Sequence, residues 1–181
     1  DWVKSKKKIQ IKAGNKDVPY VSTNDIVTSW FFSSIKAEFG FMAIDMREKI
    51  PLFKPGLAGN YENTLVYLPE DFKNPELIRR SIKLLKRAGV PITQLPVFPG
   101  MWRGRAGLIT NWASFYEDVE FPNCNQIVHF PIYDARVIPD TMALGVIFRP
   151  KPGELAFLTL SQPSMTASML DSDATHDFKI S

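Results

Sequence analysis

The chain has 181 residues, enough to bury one ordinary core, and we expect a single domain over residues 1–181. A hydrophobic content of 45% and a charged content of 23% are typical of a soluble globular protein, whereas a formal net charge of +3 is too small to indicate nucleic-acid binding by itself. No apolar run approaches the roughly 18 residues of a membrane span, and the single cysteine, Cys124, excludes an internal disulfide framework and fits a reducing, cytoplasmic setting.

The first residues combine positive charge with a short apolar alternation. The chain begins at Asp1 without an initiator Met and does not resemble a signal peptide, so we expect a fragment or one half of a processed chain. Ile9, Gln10 and Ile11 alternate as in a β-strand. Five lysines surround them: Lys4, Lys6, Lys7, Lys8 and Lys12. These lysines either protect the edge of that strand or contact an anionic ligand.

An amphipathic helix is predicted over residues 24–38. Ser22 occupies the N-cap position, and Asp25 follows three residues later, where a carboxylate can accept backbone N–H groups and complement the helix dipole. Apolar residues then recur at helical spacing: Ile26, Val27, Trp30, Phe31 and Ile35. On local chemistry alone, this segment is a well-capped helix of the core.

A buried strand with two charges at its far end is predicted over residues 39–47. Side chains alternate along a strand, so Asp45 and Arg47 should point to the same face and need partners there. A loop that contains Gly59 and Asn60 follows, and the next strand is predicted over residues 64–68.

A second helix is predicted over residues 75–88, because Asn74 can cap its start, Pro75 suits the first turn and Gly89 ends it. One side of this helix is apolar and the other is basic. The basic side consists of Arg79, Arg80, Lys83, Lys86 and Arg87. It either faces solvent or contacts an acidic partner or a membrane surface.

The second half of the chain is predicted to be mainly β-structure. Prolines and glycines interrupt residues 90–107, where Arg103 and Arg105 can approach a phosphate or simply be exposed. Strands are predicted over 108–112 and 126–130, a hairpin over 142–149 and 154–160, and a closing helix over 163–170. The predicted fold class is α/β: a mixed, largely antiparallel sheet with the helices at 24–38 and 75–88 packed on one side.

Several short motifs follow one another along the chain at set distances. They are Ser22-Thr23-Asn24-Asp25, Asp45-Met46-Arg47, the loop from Pro51 to Pro55, Gly59-Asn60 and Asn111-Trp112. This series resembles the C-terminal half of the BAHD-type acyl-CoA-dependent acyltransferases, members of the chloramphenicol acetyltransferase-like superfamily. The Asp-Phe-Gly-Trp-Gly signature of that family corresponds here to Glu120-Phe121-Pro122-Asn123-Cys124. Because Pro122 has no N–H and cannot adopt the positive φ open to glycine, the chain would be a divergent member.

The resemblance implies the C-terminal domain of an enzyme that moves an acyl group from acyl-CoA to a hydroxyl or amine acceptor, and one wall of its active-site tunnel. The partner would be an N-terminal half-domain, absent from this chain, whose His-x-x-x-Asp motif carries the base. Contacts to acyl-CoA, the co-substrate, are expected from Ser22, Thr23, Asn24, Asp25, Arg103 and Arg105. Structural roles are expected for Asp45, Arg47, Gly59, Asn60, Trp112 and Glu120, with Glu120 paired to Arg47.

A catalytic base is not evident in the chain itself. Its two histidines are His129 and His176, and Asp134 follows His129 by five residues, so the His-x-x-x-Asp spacing is absent. His129 remains a candidate base, although a core or channel role fits its apolar neighbours better. Neither Cys124 nor the histidines form a recognisable nucleophile or metal motif.

A non-catalytic half-domain that binds a partner protein or an apolar small molecule is the alternative function. The two functions differ in the surface they require, because a half-enzyme must leave an apolar face where its sister domain docks.

Overall fold

The computed structural model describes residues 2–13, 16–54, 56, 58–87, 103–132, 134, 138–172 and 174–175. The helices are α1 (Trp2–Ala13), α2 (Thr23–Ser34), α3 (Pro69–Phe72), α4 (Pro75–Leu84) and α5 (Pro163–Leu170). The strands are β1 (Phe39–Asp45), β2 (Glu62–Tyr67), β3 (Ala106–Asn111), β4 (Met142–Phe148) and β5 (Ala156–Leu160). A 3-10 turn, Ala113–Phe115, follows β3.

The strands form one five-stranded sheet in the order β2-β1-β3-β4-β5. The three inner strands run parallel, with Phe39 opposite Ala106 and Ile109 opposite Gly145. Both outer strands pair antiparallel with their neighbours, β2 with β1 and β5 with β4. The β4–β5 pairing is the predicted hairpin. The α/β class and the mixed sheet are therefore confirmed.

The helices pack on one face of the sheet, as predicted, and α2 lies at the centre of that layer. Phe31 and Phe32 of α2 and Ile35 at its C-terminal cap are fully buried in the main core cluster, which also contains apolar residues of α3, α4 and α5. Gly40 and Gly107 are register partners on β1 and β3, and a Cβ at either position would lie 2.5–2.7 Å from the Phe32 ring. Glycine is therefore what allows α2 to approach the sheet so closely.

The other face of the sheet is only partly covered. β3 and β4 are parallel neighbours, so the chain between them, residues 112–141, has to cross over the sheet. Ile138 packs there with Leu144 and Val146, and the Phe130 ring lies 5.5 Å from that of Phe148. Within the described residues, this crossover covers β4, and nothing covers the same face of β1 and β2, which we call the open face.

Two predicted strands are wrong. Residues 9–11 belong to helix α1, which packs Trp2 and Val3 against Val18, Val21 and Ile26. A three-residue alternation is too short to distinguish strand from helix, and lysine favours helices. Residues 126–130 form no strand, and Ile127 and Val128 are exposed, because the apolar residues there find no neighbouring strand to pair with.

All three predicted helices are present: α5 has the predicted bounds, whereas α2 and α4 are shorter than expected. α2 ends at Ser34 instead of residue 38, and Lys36 adopts a φ of 54° that no helix continues through. α4 ends at Leu84 with Leu85 in the left-handed conformation, and the predicted stop at Gly89 lies outside the described residues. The one-turn helix α3 was not predicted.

Candidate functional site

The start of α2 forms the predicted cap. The Ser22 Oγ accepts from the Asp25 backbone N–H at 3.3 Å, and the Asp25 Oδ2 accepts from the Ser22 N–H at 2.6 Å. Asp25 is fully buried, and the Arg79 Nε donates to its Oδ2 at 2.7 Å. Its Oδ1 is buried too and has no hydrogen-bond partner among the described residues. Asp25 therefore acts as a helix cap and as the buried counter-ion of Arg79.

Asn24 and Thr23 are also held by side chains of this chain. The Asn111 Nδ2, at the end of β3, donates to the Asn24 Oδ1 at 3.0 Å, and the Asn111 Oδ1 accepts from the Ala113 N–H at 2.9 Å. The Lys7 Nζ donates to the Thr23 Oγ1 at 2.8 Å. These contacts fasten the start of α2 to α1 and to the end of the central strand.

Arg103 and Arg105 lie at the opposite end of α2. The Arg105 Nη1 donates to the carbonyl of Ile35 at 3.2 Å, and its backbone N–H donates to the Glu38 Oε1 at 3.1 Å, whereas Arg103 is exposed. A helix of twelve residues is about 18 Å long, so the six residues predicted to contact acyl-CoA form two groups about that far apart. Only an extended ligand can reach both.

Asp45 and Arg47 meet at the end of β1, on the open face of the sheet. The Arg47 Nη1 lies 3.2 Å from the Asp45 Oδ1, and the guanidinium lies over the Tyr61 ring, 5.1 Å from its centre. The Arg47 Nη2 also donates to the carbonyl of Gly59. Gly59 has a φ of 120°, a backbone conformation that residues with a side chain rarely adopt. In this conformation its carbonyl accepts the hydrogen bond from Arg47.

The predicted ion pair between Glu120 and Arg47 is not formed. Glu120 is exposed, and within the described part of the chain no ion pair joins it to Arg47. Arg47 pairs instead with Asp45, two residues away in the chain. Asn60 donates to the Glu62 Oε1 at 3.0 Å, which fixes the loop before β2.

A groove of about 950 Å³ lies over the open face of the sheet, and we call it the sheet groove. Its floor and walls include Ala43, Thr64, Leu108, Thr110, Tyr61, Trp112, Phe115 and Ile138. Four charged residues also line it: Asp45, Arg47, Lys49 and Glu62. Asn111 borders the groove and holds Asn24, so the start of α2 lies directly behind its wall. The volume falls in the range of small-molecule sites.

His129 does not complete a catalytic arrangement. Its backbone N–H donates to the Pro150 carbonyl at 2.9 Å, its ring packs 5.8 Å from that of Tyr116, and its Nδ1 is buried without a partner among the described residues. A hydrogen bond to Asp118 raises the pKa of the neighbouring Tyr116 phenol. His129 is not among the described residues that line the sheet groove. His176 lies outside the described part of the chain.

The segment from Phe115 to Ile132, which we call the 115–132 segment, has an unusual surface. Its exposed apolar side chains are Phe115, Val119, Phe121, Ile127, Val128, Phe130 and Ile132. Ile127 is 78% and Ile132 93% exposed. Phe115 also lines the sheet groove, so the 115–132 segment begins at the rim of the groove.

Sequence reasoning missed most of the groove lining. Three of the missed residues carry polar or charged groups, and none of them belongs to a motif: Lys49, Tyr61 and Glu62. The only available signal was position, because each lies within two residues of a motif that was identified. No group of His, Cys, Asp and Glu suited to a metal ion occurs within the described residues. In that part of the chain, none of the helices has the length and hydropathy needed to cross a bilayer.

No model of a known protein family matches this chain, and no curated protein is significantly similar to it. The resemblance to acyltransferases therefore rests on the sequence motifs alone.

Proposed function

We propose that this chain is the second half of a two-domain acyl-CoA-dependent acyltransferase. In this proposal it supplies one wall of the site, the sheet groove, and docks through the 115–132 segment onto the half that carries the base. The observation that carries the proposal is the exposure of seven large apolar side chains within eighteen residues, directly beside that groove. A surface of this kind is expected where another domain binds.

The motif residues have a defined place in this proposal. Asn24, held by Asn111, supports the groove wall behind the substrate, and Arg47 fixes the loop at Gly59 by its contact with the carbonyl. Arg103, exposed at the far end of α2, is available to the phosphates of acyl-CoA. The exposed thiol of Cys124 fits a reducing compartment, and the cytoplasm is the location we propose.

The natural protein decides between the possibilities. Its intact mass and its N-terminal sequence should reveal a longer chain with a His-x-x-x-Asp motif, or a tightly bound subunit that carries one. That protein should release thiol from acyl-CoA in the presence of a hydroxyl or amine acceptor, measured with a thiol reagent. A natural protein with neither a base nor thiol release would refute the proposal.

A matched pair of substitutions tests the docking surface. Val128 is 53% exposed in the 115–132 segment, and Leu170 is 48% exposed at the end of α5. In the natural protein, Val128→Lys should lower acyl transfer at least about tenfold, because it places an unpaired charge in an apolar interface. Where the halves are separate subunits, it should also separate them in gel filtration. Leu170→Lys should change neither, and equal effects of both variants would exclude docking through this segment.

A non-catalytic module that binds a partner protein or apolar small molecule is the second candidate. What favours it is that His129, the histidine inside the described residues, makes no contact with a carboxylate and does not border the groove. This function predicts binding through the same apolar segment with no thiol release under any acceptor.

A further inference from the structure

A second groove runs along α4, and Lys49 lines both this groove and the sheet groove. It has a volume of about 520 Å³ and lies between α4 and residues 17–20, with Lys49 at its edge. We call it the α4 groove. Its volume falls within the usual range of small-molecule sites, roughly 300 to 1,000 Å³.

Positive charge dominates the α4 groove. Its cationic lining residues are Lys49, Arg79, Arg80 and Lys83, and Asp17 is the one carboxylate among the described lining residues. Arg80 and Lys83 are exposed, and neither forms an ion pair within the described part of the chain. These two charges are thus available to an anion from solution.

Arg79 is the best-oriented of these cations. Its Nε is bound to the buried Asp25 at 2.7 Å, and its guanidinium lies over the Tyr20 ring, 5.2 Å from the ring centre. Its two terminal nitrogens have no hydrogen-bond partner among the described residues. A guanidinium fixed at Nε presents a pre-organised fork that suits the two oxygens of a carboxylate or phosphate.

The rest of the lining is apolar. Val18, Pro19, the exposed ring of Tyr20, Ile82 and Leu85 form the remaining wall. Inorganic ions gain nothing from such a wall, and a neutral apolar molecule gains nothing from the cations. The lining therefore suits a molecule that combines an oxyanion with an apolar body.

We propose that the α4 groove binds a small organic anion, with its carboxylate or phosphate on the Arg79 fork and its apolar body against Tyr20 and Ile82. Arg80 and Lys83 attract and hold the anion from the rim. This inference does not depend on acyl transfer, because the α4 groove lies on the helical side of the sheet and uses none of the motif residues predicted to contact acyl-CoA.

The first experiment uses 2-naphthyl phosphate as the probe, with the purified chain in a phosphate-free buffer of low ionic strength. Calorimetric titration should give saturable binding at one site. Two fragments serve as controls: 2-naphthol, which lacks the oxyanion, and inorganic phosphate, which lacks the apolar body. Each should bind at least about tenfold more weakly than the probe. Equal binding of 2-naphthol, or no saturable binding of the probe, would overturn the proposal.

Substitutions then locate the site. Lys83→Gln and Arg80→Gln should each weaken probe binding about three- to tenfold, since each removes one charge from the rim. The control is Lys86→Gln, because Lys86 is exposed just beyond α4 and does not line the groove within the described residues. It should leave the affinity unchanged. Equal weakening by Lys86→Gln would mean a non-specific attraction to the basic helix and would refute the site.

Arg79→Lys tests the fork itself, because it keeps the charge and loses the paired nitrogens. It should weaken binding of the probe at least about tenfold. The thermal unfolding midpoint of the variant, measured in parallel, reports any loss of the contact with Asp25. The Arg80 and Lys83 variants leave that contact intact, so they still decide the question if Arg79→Lys fails to fold. Coenzyme A serves as a competitor, and binding of coenzyme A without binding of 2-naphthyl phosphate would overturn the proposal.

Discussion

Two buried aspartates illustrate how single residues hold the helical layer together. Asp25 and Asp71 each occupy the third position of a helix and accept a backbone N–H of the cap, from Ser22 and Leu68 respectively. Each also binds an arginine from the region of α4, Asp25 through Arg79 and Asp71 through Arg87 at 2.7 Å. The basic side of α4 is therefore not merely solvated, because two of its arginines neutralise buried carboxylates.

The Asp25–Arg79 contact leads to a first prediction. Arg79→Gln should lower the free energy of unfolding by about 3 kcal/mol, because it leaves a buried carboxylate without its opposite charge. Arg80→Gln, on the adjacent exposed residue, should change it by less than about 0.5 kcal/mol. Urea denaturation of both variants measures the difference. An equal loss of unfolding free energy in the two variants would show that the buried Asp25–Arg79 pair does not stabilise the fold.

Tyr67 leads to a second prediction, on alkaline stability. Its side chain is fully buried, and burial raises the pKa of the phenol above its ordinary value of 10.0. The Ser81 Oγ donates to the Ile78 carbonyl at 2.8 Å, so the Tyr67 hydroxyl donates to Ser81 at 2.7 Å. At pH 8, Tyr67→Phe should cost about 1 kcal/mol by the loss of this hydrogen bond.

Above pH 10 the advantage of Tyr67 should disappear. The unfolded chain then ionises the phenol whereas the folded chain keeps it protonated, so the unfolded state binds fewer protons and stability falls as the pH rises. Between the pKa of Tyr67 in the unfolded chain and its pKa in the folded chain, the free energy of unfolding falls by about 1.4 kcal/mol per pH unit. Urea denaturation of both proteins at pH 8 and pH 11 checks this. A constant difference between them would contradict the prediction.

At the level of elements, α2 owes its position to small residues on the strands beneath it. Gly40 and Gly107 leave space for the Phe32 ring, and Gly145 does the same for the Phe157 ring. The ring of Phe157 in turn packs 5.2 Å from that of Phe31. The helix can therefore pack closely on the sheet, because aromatic rings fill the space that the glycines leave.

Gly107→Ala is the third prediction. The added methyl group would lie 2.7 Å from Phe32 and 2.8 Å from Ile35, so the variant should lose about 1–3 kcal/mol through overpacking. Thr110→Ala, on the opposite face of the same strand, is the control and should cost less than about 1 kcal/mol. A stable Gly107→Ala variant would mean that α2 can shift away from the sheet.

The elements also show where periodicity succeeds. β4 and β5 were predicted because a turn sequence separates two apolar runs, and α2 because its cap and its apolar spacing agree. Residues 126–130 have a comparable composition and form no strand. The difference is a neighbour, since a strand exists only where another strand can accept its hydrogen bonds.

At the scale of the whole molecule, the two faces of the sheet differ. The helical face contains the main core, whereas the open face bears the sheet groove and adjoins the 115–132 segment. Ile127, Val128 and Phe130 donate no backbone hydrogen bond within the described residues. Exposed apolar side chains and amides without hydrogen bonds are what the proposed docking through the 115–132 segment requires.

Hydrogen exchange provides the fourth prediction. In the 181-residue chain by itself, the amides of Ile127 and Val128 should exchange within seconds, and those of Leu144 and Val146 in β4 should be the slowest to exchange. In the natural protein, with the proposed N-terminal half in place, the amides of Ile127 and Val128 should become protected. Exchange followed by mass spectrometry resolves both states, and protection of Ile127 in the chain alone would contradict an unpartnered segment.

Features that depend on local chemistry could be predicted from the residues: the α/β class, the capped helix α2, the hairpin of β4 and β5 and the shared face of Asp45 and Arg47. The contacts between distant parts of the chain could not. Asp25 binds Arg79, which lies 54 residues further along the chain, and Arg47 pairs with Asp45 and not with Glu120. The reason is physical, because caps and periodicities act over one or two turns, whereas charge partners and strand neighbours depend on how the elements pack.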